Sequence, residues 1–309
     1  MMDKIIEEID RTELNAVVID VKDDQGRITY AMDSPTVNEI GACQVFIQDM
    51  PALMAKLKEH GIYTIARVVA FRDPYLAEQK PEWSLHVADG KIYRDNKGLA
   101  WVNPYKKEVW DYLIEVGKKA GEAGFDEIQF DYIRFAVDKT MNDVVFDDAD
   151  TQGRNKTQAI TEFIGYAHDE LAKEGLFVSA DVFGTIMRSE EDAAAVGQEY
   201  EDMAEQLDYI CPMIYPSHYG PGNFGIEYPD TQPYDTILNA LNGSRELLAA
   251  SAKEDAPQAV VRPWLQDFTA SYLEHYIKYG DEQVRQQIQA VYDAGYDQWI
   301  LWDAGVSYH

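Results

Sequence analysis

Gly124-Phe125-Asp126-Glu127-Ile128-Gln129-Phe130-Asp131-Tyr132-Ile133-Arg134-Phe135 decides the fold. It follows a helical pattern closed by glycines. It then reads as a buried strand that ends in a carboxylate. Working outward, similar runs lie at 15–22, 63–71, 99–103, 176–183, 209–215, 259–266 and 298–303. Between them come helical patterns at about 44–60, 104–122, 157–173, 190–206, 233–252 and 271–293. Regular alternation of strands and helices predicts a parallel sheet. Eight such units in this length predict a single-domain α/β fold, the closed (β/α)8 TIM barrel, over 1–309. No glycine-rich fingerprint follows the first strand, which counts against a dinucleotide-binding sheet. Inserted loops are expected at about 72–98, with a hairpin at Asp89-Gly90, and at 216–233, rich in Pro, Gly and Tyr.

Bulk properties narrow the function classes. The chain has 309 residues, 55 acidic against 27 basic, and a net charge of −28. Such a surface repels phosphate backbones, so nucleic acid is not an expected partner. No apolar run reaches the length of a membrane span, and the charged first residues do not read as a signal peptide. The two cysteines, Cys43 and Cys211, fit neither a disulfide framework nor a zinc pattern, and no cofactor is expected. Twenty tyrosines and six tryptophans supply rings that can stack on sugars, although most such rings pack in cores.

In a barrel of this kind the site lies at the C-terminal ends of the strands. The polar residues there are Asp20 and Lys22, Arg67, Gln129 and Asp131, Arg134, Asp181, Tyr215 and His218, Arg262, Trp264 and Gln266, and Trp302. Paired carboxylates are the equipment of glycosidic cleavage: one protonates the leaving oxygen, the other attacks the anomeric carbon or activates water. Asp131 and Asp181 are therefore the expected catalytic pair, and the other residues the expected carbohydrate contacts. A lone aspartate after a strand is most often a cap; two at inward-facing strand ends are harder to explain without a function. Asp20 either binds a sugar hydroxyl or pairs with Lys22 or Arg67. Tyr215, Trp264 and Trp302 either meet a sugar or fill the core, and His218 is either an acid or plain surface. No metal is expected; the Asp20–Gly26 run departs from a calcium loop at Lys22 and lacks its final acid. Two rival readings are a carbohydrate-binding barrel without catalysis and a metal-dependent hydrolase using Asp20, Asp23 and Asp131.

Several blocks in order, NAVVIDVKDDQGRITY, ARVVAFRDP, WVNPYKKEVWDYL, GFDEIQFDYIRF, PMIYPSHY and RPWLQDF, resemble a family of bacterial glycoside hydrolases over essentially the whole chain. That family is similar to TIM-barrel glycosidases of the α-amylase-like kind. The resemblance implies polysaccharide hydrolysis, commonly by secreted or envelope-associated proteins, with Asp131 at the nucleophile position. Gln129 stands where those enzymes carry arginine, Asp181 where the second acid is usually glutamate, and Ala136 where proline is usual. The register at which chitinase-like enzymes carry glutamate falls on Ile133. Neither the sugar nor the stereochemical outcome follows.

Overall fold

The computed structural model describes residues 2–254 and 256–309 and shows a mixed α/β fold with a mostly parallel sheet. The strands are β1 Ala16–Lys22, β2 Ile28–Tyr30, β3 Cys43–Ile47, β4 Tyr63–Val69, β5 His86–Val87, β6 Glu127–Asp131, β7 Val144–Val145, β8 Phe177–Phe183, β9 Tyr209–Met213, β10 Val260–Val261, β11 Trp264–Gln266 and β12 Ile300–Trp302. The chain divides into two compact units. The first runs to Ala180 and takes in Ala195–Gly197; the second holds Asp181–Ala194 and Gln198–His309.

In the first unit the strand order is β3-β2-β1-β4-β6-β8. β1, β4, β6 and the start of β8 are parallel, whereas β2 runs antiparallel to β1. Residues alternate between the two faces of each strand. On β6, Ile128 and Phe130 share one face, and Glu127, Gln129 and Asp131 share the other. Phe130 packs edge-on against Phe163, at 5.4 Å between ring centroids. Phe71 and Trp110 meet the same ring at 5.3 and 5.8 Å, which fastens the helices Lys107–Ala123 and Lys156–Ala172 to the strands. At the N-terminal end of the opposite face, Glu127 accepts hydrogen bonds from Tyr63 and Ser179 at 2.9 and 2.5 Å. Gly124 takes φ 112° and closes the helix before β6, a conformation that suits glycine.

The second unit has β9 parallel to β10 and to β11, with β11 parallel to β12. The helices Tyr200–Ala204, Pro233–Ser251 and Asp281–Asp293 belong to it. Among the described residues no helix is long and apolar enough to cross a membrane.

Four local expectations are corrected. The run 99–103 is not a rung of the parallel sheet: β4 pairs directly with β6, from Ile65↔Glu127 to Val69↔Asp131. Its bridges are to nearby residues, Ala100 to Arg94 and Val102 to Ser84, beside a turn in which Gly98 N–H reaches the Asp95 carbonyl, and Val102 N–H also donates to the Phe71 carbonyl at 3.0 Å. The start of the expected helix 44–60, through Ile47, is strand β3; Asp49 caps the helix at Met50 by accepting from Ala52 N–H at 2.9 Å. The expected helix 271–293 begins only at Asp281, where Gly280 and Gln283 form the start. The expected helix 190–206 is two short ones, Glu190–Val196 and Tyr200–Ala204.

Candidate active site

Asp131 closes β6, and Arg67 of the neighbouring strand β4 reaches it. Arg67 sits level with Asp20 on one side and Gln129 on the other. Its side chain extends along the strands. Nε and Nη2 donate to Asp131 Oδ2 at 2.9 and 2.5 Å, and Nη1 donates to Asp20 Oδ1 at 2.9 Å. Asp24, in the turn after β1, lies 3.4 Å from the same guanidinium and also accepts from Arg72. The other oxygen of Asp131, Oδ1, accepts the N–H of Tyr132 at 2.6 Å. Arg67 and Asp131 expose only 11% and 13% of their side chains, whereas Asp20 and Asp24 expose 52% and 41%, so the cluster opens through its acidic rim.

Electrostatics follow from this packing. Burial works against the charge on Arg67, but the carboxylates of Asp131, Asp20 and Asp24 outweigh it and hold the guanidinium well above its ordinary value. Arg134 is lowered by burial; its guanidinium donates to the Phe135 carbonyl at 2.9 Å and lies 5.1 Å from the rings of Trp101 and Tyr132. Gln129 is fully buried. Where a divalent cation would bridge Asp20 and Asp131, the Arg67 guanidinium already stands. Among the described residues no group of three His, Cys, Asp or Glu side chains is placed to hold a metal.

Lys22, expected to contact substrate, is instead sealed in the core. Its ammonium pairs with Asp73 Oδ2 at 2.7 Å and donates to the Val69 carbonyl at 2.6 Å, with neither side chain exposed. Burial pushes the Asp73 carboxyl up, opposed by Lys22 and by the Leu76 N–H that Asp73 caps at 2.7 Å. The alternation of β1 breaks here: the ladder to β4 shifts between Asp20 and Lys22, which lets Asp20 and Lys22 differ so sharply in exposure.

A hollow of about 480 Å³ lies elsewhere in the first unit, at the starts of the helices Lys107–Ala123 and Lys156–Ala172. Its cations are engaged: Lys106 with Asp150, Lys107 with Asp111 and Arg154 with Glu162, at 2.6 to 2.7 Å.

The second unit gathers a different set. Asp181 is buried, and its Oδ1 accepts Trp264 Nε1–H at 2.6 Å. Trp264 meets Trp302 edge-on at 6.1 Å, and Trp302 is 40% exposed. Tyr215 packs against His218 at 5.2 Å, with His218 Nδ1 3.0 Å from Ser217 Oγ; burial lowers the imidazole from its ordinary value. Gln266 is fully buried and ties loops together: its Oε1 accepts from Ser217 N–H at 3.0 Å and its Nε2 donates to Asp230 at 2.9 Å. Arg262 is likewise buried, over the Tyr209 ring at 4.3 Å and 3.8 Å from Cys211 Sγ. Of the expected contacts in this unit, Trp302 and His218 are exposed, whereas Tyr215, Arg262, Trp264 and Gln266 are buried. Asp24, Arg72 and Tyr132, which complete the surroundings of Asp131, did not stand out in the sequence. The one signal was their position, directly after β1, β4 and β6.

Comparison with known proteins bears on this architecture. Over 59% of its length the chain is 40% identical to a hypothetical protein of known crystal structure from Ruminiclostridium thermocellum, covering 90% of that protein with a TM-score of 0.54. Over 98% of its length it is similar to the PgaB (BpsB) glycoside hydrolase domain from Bordetella bronchiseptica, with 11% identity, 87% of that chain covered and a TM-score of 0.66. Over 97% it is similar to the α-galactosidase TtGalA from Thermus thermophilus, with 12% identity and a TM-score of 0.57, though it spans only 53% of that enzyme. These last two likenesses concern the fold. No curated protein matches the chain. Residues 1–308 match one family throughout, and the chain therefore belongs to the family described as "Putative glycosyl hydrolase domain".

Proposed function

We propose that the chain hydrolyses a glycosidic bond in a poly- or oligosaccharide, with Asp131 as the nucleophile or base. One observation carries the assignment: Asp131, at the C-terminal end of a parallel strand, accepts three N–H donors, two of them from the Arg67 guanidinium. Acceptor-only geometry of this kind suits a carboxylate that attacks an anomeric carbon or takes a proton from water. The positive charge beside it offsets the cost of holding a partly buried anion ready. Family membership and the glycosidase-like fold support the same reaction class, and they support reading the parallel strands as a TIM barrel of eight units.

Asp181 is proposed as the acid. Its support is separate: it is a buried carboxyl beside Trp264, and the neighbouring Trp302 presents a ring on which a sugar can stack. Asp20 is proposed to meet sugar hydroxyls from the rim. The second reading, a carbohydrate-binding module without catalysis, draws on one feature, the balance of Asp20, Asp24 and Asp131 by Arg67 and Arg72, which is also how a purely structural ion-pair cluster is built.

The test is hydrolysis of a panel of p-nitrophenyl glycosides and reducing-end release from bacterial polysaccharides. Asp131→Asn is expected to lower turnover by about 10²–10⁴-fold while thermal unfolding and glycan binding persist. Glycan binding by the wild type with no bond cleaved anywhere would select the second reading.

A further inference from the structure

We propose that Tyr132 is a positioning residue for Asp131: its left-handed backbone aims its own N–H at Asp131 Oδ1. The inference rests on the reading of Asp131 as the reacting carboxylate.

Tyr132 has φ 49°, a conformation that residues with side chains seldom adopt and that bulky ones adopt least. Such outliers persist where the surroundings hold them, and they gather at functional sites. In a regular strand the N–H of residue 132 would be spent on the sheet ladder. Here it turns to the preceding carboxylate at 2.6 Å. The residue remains attached to the sheet through its carbonyl, which accepts Phe71 N–H at 3.2 Å.

What braces the ring also reaches the other side of Asp131. The Arg72 guanidinium lies 3.6 Å over the Tyr132 ring, and Trp101 meets the ring edge-on at 6.1 Å. Arg72 donates to Asp24, Asp24 accepts from Arg67, and Arg67 donates to Asp131 Oδ2. The contacts close a circuit, Asp131–Arg67–Asp24–Arg72–Tyr132–Asp131. Each carboxylate oxygen is held by one end of it. The carboxylate thus has a single orientation, which a reaction at an anomeric carbon requires.

The proposal predicts an unusual order of substitutions at residue 132. Glycine and asparagine tolerate left-handed φ; alanine does so poorly and valine least. The experiment compares Tyr132→Gly, Tyr132→Asn, Tyr132→Ala and Tyr132→Val by two readouts. The first is the proton chemical shift of amide 132, measured by NMR without substrate; a bond to a carboxylate moves it downfield, and Asp131→Ala in the wild-type background shows how far. The second is turnover of the p-nitrophenyl glycoside that the wild type cleaves best. The Gly and Asn variants are expected to hold the downfield amide, and to exceed the Val variant in turnover by about 10²-fold. Where the Val variant does not fold, the Ala variant takes its place. An amide left downfield in the Val or Ala variant, or Gly and Val variants impaired alike, would overturn the proposal, because the ring and not the backbone would then matter. Asp131→Asn separates the two claims. If that variant turns over normally, the catalytic reading falls, and the amide shifts alone still decide whether Tyr132 orients the carboxylate.

Discussion

Arg67 is the residue on which the site turns. It is nearly buried and satisfies two carboxylates from neighbouring strands. Removing one partner of such a pair leaves the other uncompensated, at a cost of about 3–5 kcal/mol. Arg67→Met is therefore expected to lose stability on that order in urea unfolding and to lose turnover as well. Arg67→Lys keeps the charge without the fork and is expected to recover stability more than turnover. Lys22 gives the contrasting case. Its pair with Asp73 is fully buried, so Lys22→Met should cost a similar amount in unfolding while KM stays at the wild-type value. The positions of Asp131 and Arg67 on neighbouring parallel strands were legible in the sequence because strand alternation and strand ends place them. Lys22 was misjudged because one irregularity in the ladder of β1, which no residue pattern announces, turns it inward. Tyr132 was silent for a related reason: the sign of φ is not written in residue type except at glycine.

At the scale of elements, the strands and helices that set the site were readable wherever apolar periodicity was strong. Phe163 illustrates what that periodicity buries. It joins one helix to β6, to Phe71 and to Trp110, and it is wholly inaccessible. Phe163→Ala should destabilise by about 3–5 kcal/mol in denaturant unfolding. The turn after β1 rests on Gly26, at φ 81°, where an added Cβ would lie 1.8 Å from Asp73 Oδ1. That carboxylate is fixed by its cap and its ion pair, so it has no room to yield. Gly26→Ala should cost about 1–3 kcal/mol and, by shifting Asp24, should weaken turnover. The runs that were misread, 44–49, 99–103 and 271–280, are short. Their form is decided by a cap at Asp49, by a local turn at Asp95–Gly98 and by anchors such as Asp230 to Ile277 N–H, not by period. His218 lies in the loop after β9, within the run 216–233 that the sequence marks as a loop. Its lowered value means the unfolded chain takes up a proton first as pH falls below the ordinary histidine value of about 6.5. Stability from this contact is full above that pH and is lost on acidification through the folded value. His218→Gln should flatten that part of the profile in a pH series of thermal unfolding.

At the scale of the molecule, the mixed α/β class and the family were both evident from the order of the sequence blocks, and family membership holds over residues 1–308. Division into two compact units was not evident, because no linker or change of composition marks it. The net charge of −28 is a property of the whole surface and opposes compactness. Salt at about 0.15 M screens charges beyond roughly 8 Å, so the unfolding temperature should rise from low salt to that level.

Chemical rescue reads whether Asp131 is the reacting carboxylate. Turnover of an activated p-nitrophenyl glycoside would be measured for Asp131→Ala with and without azide. The variant is expected to be folded and nearly inactive, with activity restored by azide in proportion to its concentration, since a small anion takes the place of the missing carboxylate. A folded Asp131→Ala protein that hydrolyses the same glycoside at the wild-type rate without azide would contradict that role for Asp131.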